Sequence, residues 1–145
     1  MTFSIAIEKA SPVVGAEVSG LDTSVPASAK TVDQLARALA EHGVLIFRDQ
    51  HLTPEQHIAF SNLFGALETH VISDALLEGH PEIYVVSNVV EDGKRQGRAY
   101  AGTYWHSDLS YTATPTMGSI MYARQIPEIG VDTMFASYVS CVRNA

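Results

Sequence analysis

The chain has a single cysteine, Cys141, in 145 residues. One thiol cannot close an internal disulfide and cannot furnish a cysteine-based zinc site. Basic residues are scarce as well: nine Lys and Arg against sixteen Asp and Glu leave a net charge of −7. That balance disfavours nucleic acid and anionic membrane as main partners. Long apolar runs are missing. The longest, Val44-Leu45-Ile46-Phe47, is far short of the roughly 20 residues a membrane helix requires. The opening Met1-Thr2-Phe3-Ser4 has neither a basic region nor an apolar stretch, so no secretory signal is expected and a cytoplasmic setting is the default. What remains is ordinary globular composition, 46% hydrophobic and 17% charged, at a length that fits one domain over 1–145.

Residues 3–7 alternate weakly around Phe3, Ile5 and Ile7, as an edge strand would. Gly15 and Gly20 bracket a turn-rich segment anchored by Val18 and Leu21. Pro26-Ala27-Ser28-Ala29 reads as a short loop. Thr31 and Gln34 have capping-box spacing and predict a helix through about His42, stopped by Gly43. Its apolar stripe is Val32, Leu35, Ala36 and Leu39. Residues 44–47 read as a buried strand. A second helix is well marked: Thr53 as N-cap, Pro54 at the first helical position, Gln56 completing a capping box. Phe60, Leu63 and Phe64 form its inward face, and Gly65 ends it.

Beyond Gly65 the pattern turns to β. Residues 83–86, 117–123 and 132–136 read as strands, 91–98 as a charged loop, and 105–109 as extended. Two helices followed by short strands predict an α+β fold with a β-rich core.

His106-Ser107-Asp108 is the central chemical signal. On an extended segment, side chains at i and i+2 share a face, so the histidine nitrogen and the carboxylate oxygen can converge on one ion. One histidine and one carboxylate are two of the three ligands that the 2-His-1-carboxylate triad of non-haem iron(II) oxygenases uses. The spacing alone is weak. Six histidines at this Asp frequency yield roughly 0.3 chance matches, and on spacing alone a His–Asp hydrogen bond or a surface turn is the favoured explanation, at about four to one.

The flanking residues add context. The run Gly43 through Gln50, then Leu52-Thr53-Pro54-Glu55-Gln56, then Phe64-Gly65, resembles the N-terminal part of the taurine/alpha-ketoglutarate dioxygenase (TauD/TfdA-like) family. The segment from Gly15 to Asp22 resembles that family's opening, and Trp105-His106-Ser107-Asp108 its metal motif. Thr114-Pro115 and the stretch from Ile126-Pro127 to Asp132-Thr133 resemble the family's segments downstream of that motif. The resemblance runs from about residue 5 to about 137.

The resemblance implies the N-terminal part of a double-stranded β-helix (jelly-roll) with flanking helices. It also implies Fe(II), 2-oxoglutarate as co-substrate, and hydroxylation of a small anionic molecule by O2, with succinate and CO2 as co-products. The substrate would be a sulfonate, sulfate ester or aryloxy acid. By position, His106 and Asp108 match the first two metal ligands. Thr133 matches the residue contacting the 2-oxoglutarate carboxylate, where a hydroxyl donor suits an anionic acceptor. His70 matches a substrate-contacting histidine of the taurine branch, and Leu109 a residue lining the substrate pocket. A homo-oligomer is compatible with this reading.

Several positions depart from the family. Its third metal ligand, a histidine, and the arginine after it lie far downstream, and no histidine stands between Asp108 and Ala145. Gly130-Val131 replaces a Gly-Gly pair, and Gly102 stands where the taurine branch has a polar substrate contact. The run from Tyr138 to Ala145 does not resemble the usual helix. The chain is therefore read as a truncated dioxygenase domain, inactive by itself. The alternatives are a catalytically inactive remnant or a non-catalytic jelly-roll binding module. A zinc site with His70 as third ligand is a further variant.

Bland readings apply elsewhere. Arg48 is expected in a structural ion pair, Lys94, Arg95 and Arg98 in a solvated loop, and Trp105 in the core. His42 and His57 are expected at the surface or as caps, and His51 and His80 in turns. Cys141 has no histidine or acid near it in sequence and is expected to be inert.

Overall fold

The computed structural model describes residues 5–130 and 132–139. Phe3, Val131 and Cys141, singled out above, lie outside them. The chain divides into two compact units, one formed by Met1–Phe64 with Gln125–Ala145, the other by Gly65–Arg124.

The first unit is built on a three-stranded sheet of β1 (Ala6–Lys9), β2 (Ala16–Ser19) and β3 (Leu45–Phe47), in that spatial order. β1 pairs antiparallel with β2, Ile7 opposite Val18. β3 pairs parallel with β2, Glu17 opposite Ile46, after a crossover through helix α1 (Ala29–His42). Parallel pairing requires such a crossover, because a tight turn reverses the chain. Strand β1 lies later than the alternation around Phe3 predicts, and β3 is half-buried rather than buried.

Helix α1 begins one turn before the expected capping box. Ser28 is the N-cap, in extended conformation, and its hydroxyl accepts from the Thr31 amide at 3.2 Å. A competent cap upstream lets Ala29 and Lys30 join the helix, so Thr31 becomes helical rather than a cap. The buried stripe is also corrected. Leu35 and Ala38 face inward, three residues apart, and Ala36 is exposed. Gly43 ends the helix as expected: its φ of 73° is left-handed, and its amide donates to the Leu39 carbonyl at 2.8 Å.

Helix α2 (Pro54–Ser61) carries the complete capping box, with Gln56 N donating to Thr53 Oγ1 and Thr53 N donating to Gln56 Oε1. It ends four residues before Gly65. Ser61 Oγ donates to the His57 carbonyl at 2.8 Å, and the following amides switch to i−3 acceptors, Leu63 to Phe60 and Phe64 to Ser61. This tighter turn still delivers Leu63 and Phe64 to the core. That core is Val18, Leu35 and Phe60, flanked by Ile5, Ile7, Leu21, Leu45, Phe47, Leu63 and Phe64. Phe60 meets Phe47 and Phe64 edge-on, at centroid distances of 5.7 and 5.5 Å. Burying one such ring contributes about 2–3 kcal/mol.

The second unit consists of small antiparallel ladders. β4 (Leu76–Leu77) pairs with β5 (His80–Tyr84), and β6 (Val90–Glu91) with β7 (Lys94–Arg95). His80, expected in a turn, starts β5. The expected charged loop 91–98 contains a hairpin turn instead. Asp92 and Gly93 have φ of 49° and 75°, the two positive values a two-residue type I′ connection requires. Arg98 bridges back to Val86, its amide donating to the Val85 carbonyl at 2.9 Å.

Residues 117–123 and 132–136 are not strands. Apolar and β-branched residues satisfy the local pattern there, but that pattern describes a face and does not by itself form a ladder. Met117 and Met121 are exposed. No helix among the described residues is long and apolar enough to cross a membrane.

Candidate metal centre

His106, Ser107 and Asp108 lie in an irregular stretch of the second unit. Residues 105–107 form no ladder, and 108–110 turn. The turn is closed by Leu109, in left-handed conformation at φ 48°. Its carbonyl accepts from the Thr112 amide at 3.1 Å and from the Thr112 hydroxyl at 2.9 Å. That conformation costs a non-glycine residue about 1–2 kcal/mol, which the two bonds help offset.

The two side chains meet just before this turn. His106 Nε2 stands 3.3 Å from Asp108 Oδ1. The outer atoms of both groups are occupied. His106 Nδ1 lies 2.8 Å from the Tyr104 carbonyl, which can only accept, so Nδ1 carries a proton. With Nδ1 so occupied, Nε2 is the ring nitrogen left to bind a cation. Asp108 Oδ2 accepts from Ser119 Oγ at 2.8 Å. Two cis ligands, each about 2.1 Å from an octahedral metal, lie roughly 3 Å apart, close to the observed separation. A backbone acceptor on the far nitrogen and a donor on the far carboxylate oxygen are the usual outer partners of metal ligands. The pair therefore fits a divalent metal. Both side chains are near half exposed, 44% for His106 and 57% for Asp108, so a ligand can reach them.

Among the described residues, no third His, Cys, Asp or Glu joins this pair. That removes the zinc variant with His70 as third ligand. The His70 ring instead stacks on Tyr84 at 4.2 Å, and its Nδ1 accepts from the Ile72 amide at 3.0 Å. Tyr84 in turn donates to Asp74 Oδ1, and Arg98 donates to Asp74 Oδ2 at 2.9 Å. Partial burial foremost, and then the Asp74 carboxylate, raise the Tyr84 phenol above the ordinary tyrosine value.

Leu109 is half-buried directly after Asp108. Thr133 is exposed and belongs to the first unit. Gly102 lies beside the His106 ring: a Cβ added there would stand 3.8 Å from its Cε1. Arg48 pairs with Glu17 at 2.9 Å, the structural role expected of it. Arg98 is tied to Asp74 rather than solvated alone. Trp105 is 67% exposed, which corrects its expected core position. A cavity of about 480 Å³ lies against Asp74, Arg95 and Arg98 but is lined by neither His106 nor Asp108. Ser119 and the Tyr104 carbonyl are not legible in the sequence. A serine eleven residues from the motif carries no local signal of contact.

A family model described as "Taurine catabolism dioxygenase TauD, TfdA family" matches residues 6–144. The chain is 32% identical over 142 residues to an alpha-ketoglutarate-dependent 2,4-dichlorophenoxyacetate dioxygenase of Cupriavidus pinatubonensis, covering 91% of this chain and 50% of that protein. It is 32% identical over 137 residues to an alkylsulfatase of Acinetobacter baylyi, covering 94% and 40%. The crystal structure of a taurine dioxygenase from Burkholderia xenovorans superposes with a TM-score of 0.51 at 38% identity, over 54% of this chain and 28% of that one. The chain thus spans half or less of the length of these relatives.

Proposed function

Because the chain belongs to the taurine catabolism dioxygenase TauD, TfdA family, we propose that it forms part of an Fe(II)- and 2-oxoglutarate-dependent dioxygenase that hydroxylates a small organic acid. The observation that carries this reading is the 3.3 Å approach of His106 Nε2 to Asp108 Oδ1, with Nδ1 and Oδ2 held from outside. One neutral nitrogen and one carboxylate hold a dication while leaving it a net positive charge, which favours an anionic co-substrate. Bound there, Fe(II) supplies the oxygen activation that couples decarboxylation of 2-oxoglutarate to hydroxylation of a C–H bond.

The protein's own groups hold and orient the partners. Thr133, matched by the family resemblance, is a hydroxyl donor of the kind that suits a carboxylate of 2-oxoglutarate. His70 offers Nε2 to the substrate's anionic head, its ring held by Tyr84 and its Nδ1 by Ile72. Leu109 supplies an apolar wall next to the metal. Relatives named for a 2,4-dichlorophenoxyacetate, an alkyl sulfate and a sulfonate support a substrate class of aryloxy acids, sulfate esters or sulfonates. The family assignment supports a jelly-roll as the framework that completes the site. The reaction takes up O2 and releases succinate and CO2.

The test is succinate release from 2-oxoglutarate by anaerobically Fe(II)-loaded protein given O2, with a panel of sulfonates, alkyl sulfates and aryloxy acids. Residues 1–145 are assayed beside any longer product of the same gene. Turnover is expected only where a third ligand completes the pair, and His106→Ala is expected to abolish it. Succinate release that survives His106→Ala would refute the assignment of the metal centre. The second reading, a remnant without turnover, draws on the two-ligand set among the described residues. It predicts no succinate from either protein.

A further inference from the structure

We infer that Ser119 is a positioning residue for the metal carboxylate, setting which oxygen of Asp108 is offered to the cation. The inference rests on the metal-centre reading of His106 and Asp108. An aspartate carboxylate turns readily about its last bond, since that torsion is broad and two-fold. Left alone, an exposed Asp108 would present either oxygen, or both, to a metal. The Ser119 hydroxyl removes that freedom. It donates to Oδ2 at 2.8 Å, and Oδ1 is the oxygen left facing His106 Nε2 at 3.3 Å. A serine hydroxyl has one proton to donate, and here the carboxylate receives it. The bond is charge-assisted and joins positions eleven residues apart, so it also ties the 117–123 segment to the motif.

The arrangement on the histidine is parallel. The Tyr104 carbonyl holds Nδ1–H at 2.8 Å and so points Nε2 at the same place. Each ligand thus has its outer atom fixed by one partner. The histidine partner is backbone and survives any side-chain change at position 104. The aspartate partner is a side chain, and one substitution removes it. Ser119 touches no substrate or co-substrate atom in this role and acts only through Asp108.

The experiment is Mn(II) binding to the 145-residue chain, read as loss of the free-ion electron paramagnetic resonance signal. Wild type, His106→Ala, Ser119→Ala and Ser119→Thr are compared, with far-UV circular dichroism as the check on folding. The expected result is a site in the wild type that is lost in His106→Ala. Ser119→Ala is expected to weaken it about tenfold, the low end for loss of an outer-sphere partner. Ser119→Thr, which keeps the hydroxyl, is expected to restore it. If Ser119→Ala changes the circular dichroism spectrum, Ser119→Cys, of similar size but a weak donor, takes its place with the same expectation. Wild-type affinity in Ser119→Ala or Ser119→Cys, or failure of Ser119→Thr to restore binding, overturns the role of Ser119 and leaves the metal centre standing. Absence of a wild-type site, or a site indifferent to His106→Ala, overturns the metal centre itself and this inference with it.

Discussion

Gln50 Oε1 accepts two hydrogen bonds from Thr23, one from its amide and one from its hydroxyl, both at 2.8 Å. Thr23 is only 4% exposed. The other end of the Gln50 amide donates to the Leu21 and Arg48 carbonyls, at 3.2 and 2.8 Å. One side chain thus pins the segment after β2 to the exit of β3. Gln50→Ala leaves two donors of Thr23 without this acceptor, in a place water scarcely reaches. The expected loss is about 2 kcal/mol, since orphaning a buried polar group costs about 1–3 kcal/mol. Urea denaturation measures it, and a loss below about 0.5 kcal/mol, the range of ordinary surface changes, would contradict it.

The two candidate starts of α1 make opposite predictions. With Ser28 as the cap, Ser28→Ala costs about 1 kcal/mol. Gln34→Ala, on an exposed helical position, stays within about 0.5 kcal/mol of wild type. A larger loss from Gln34→Ala than from Ser28→Ala would restore the capping box at Thr31.

Gly97 is required by space. A Cβ there would stand 2.6 Å from the Val85 carbonyl oxygen and 2.8 Å from Val85 Cγ1. The obstacle is backbone, and it cannot rotate away. Gly97→Ala is expected to push Arg98 off Val85, costing about 1–3 kcal/mol as overpacking does. Faster hydrogen exchange at the Arg98 amide, which donates to the Val85 carbonyl, reports the change directly. Unchanged exchange there would show that the two segments part without cost.

Tyr84 links stability to alkaline pH. Its phenol titrates above the ordinary value near 10, because partial burial and then the Asp74 carboxylate disfavour the phenolate. A folded-state value above the unfolded one contributes stability that is fully present below about pH 10 and is lost as pH rises through the native value. Near-ultraviolet absorbance titration is expected to show a tyrosine component ionising above the ordinary value, with Tyr84→Phe removing it. Asp74→Asn is expected to lower it part of the way. A titration curve unaltered by Tyr84→Phe would count against the assignment.

Elements whose signals close within three or four residues are legible in the sequence. The α2 capping box is an exchange between Thr53 and Gln56, and both residues act as expected. Gly43 stops α1 because its own φ is left-handed. The His106–Asp108 pair is likewise local, although no strand carries it. The start of α1 is local too, but two caps compete for it and the earlier one, Ser28, prevails. Asp92-Gly93 is a hairpin signal that the surrounding charges mask as loop. The runs 117–123 and 132–136 look like strands without being so, because alternation describes a face and does not by itself form a ladder.

Residue type and spacing alone reveal the family, the α2 capping box, the Gly43 stop, the net negative charge and the His106–Asp108 pair. The contacts that hold particular side chains in place come from the folded chain. The Ser119 hydroxyl on Asp108, the Tyr84 ring under His70 and the Gln50 amide on Thr23 join positions 11, 14 and 27 residues apart. A hydrogen bond or ring contact over such separations depends on how the intervening chain folds back, and no periodicity in the residues encodes it. The same physics left Trp105 in solvent, since burial requires surrounding chain and not apolar character alone.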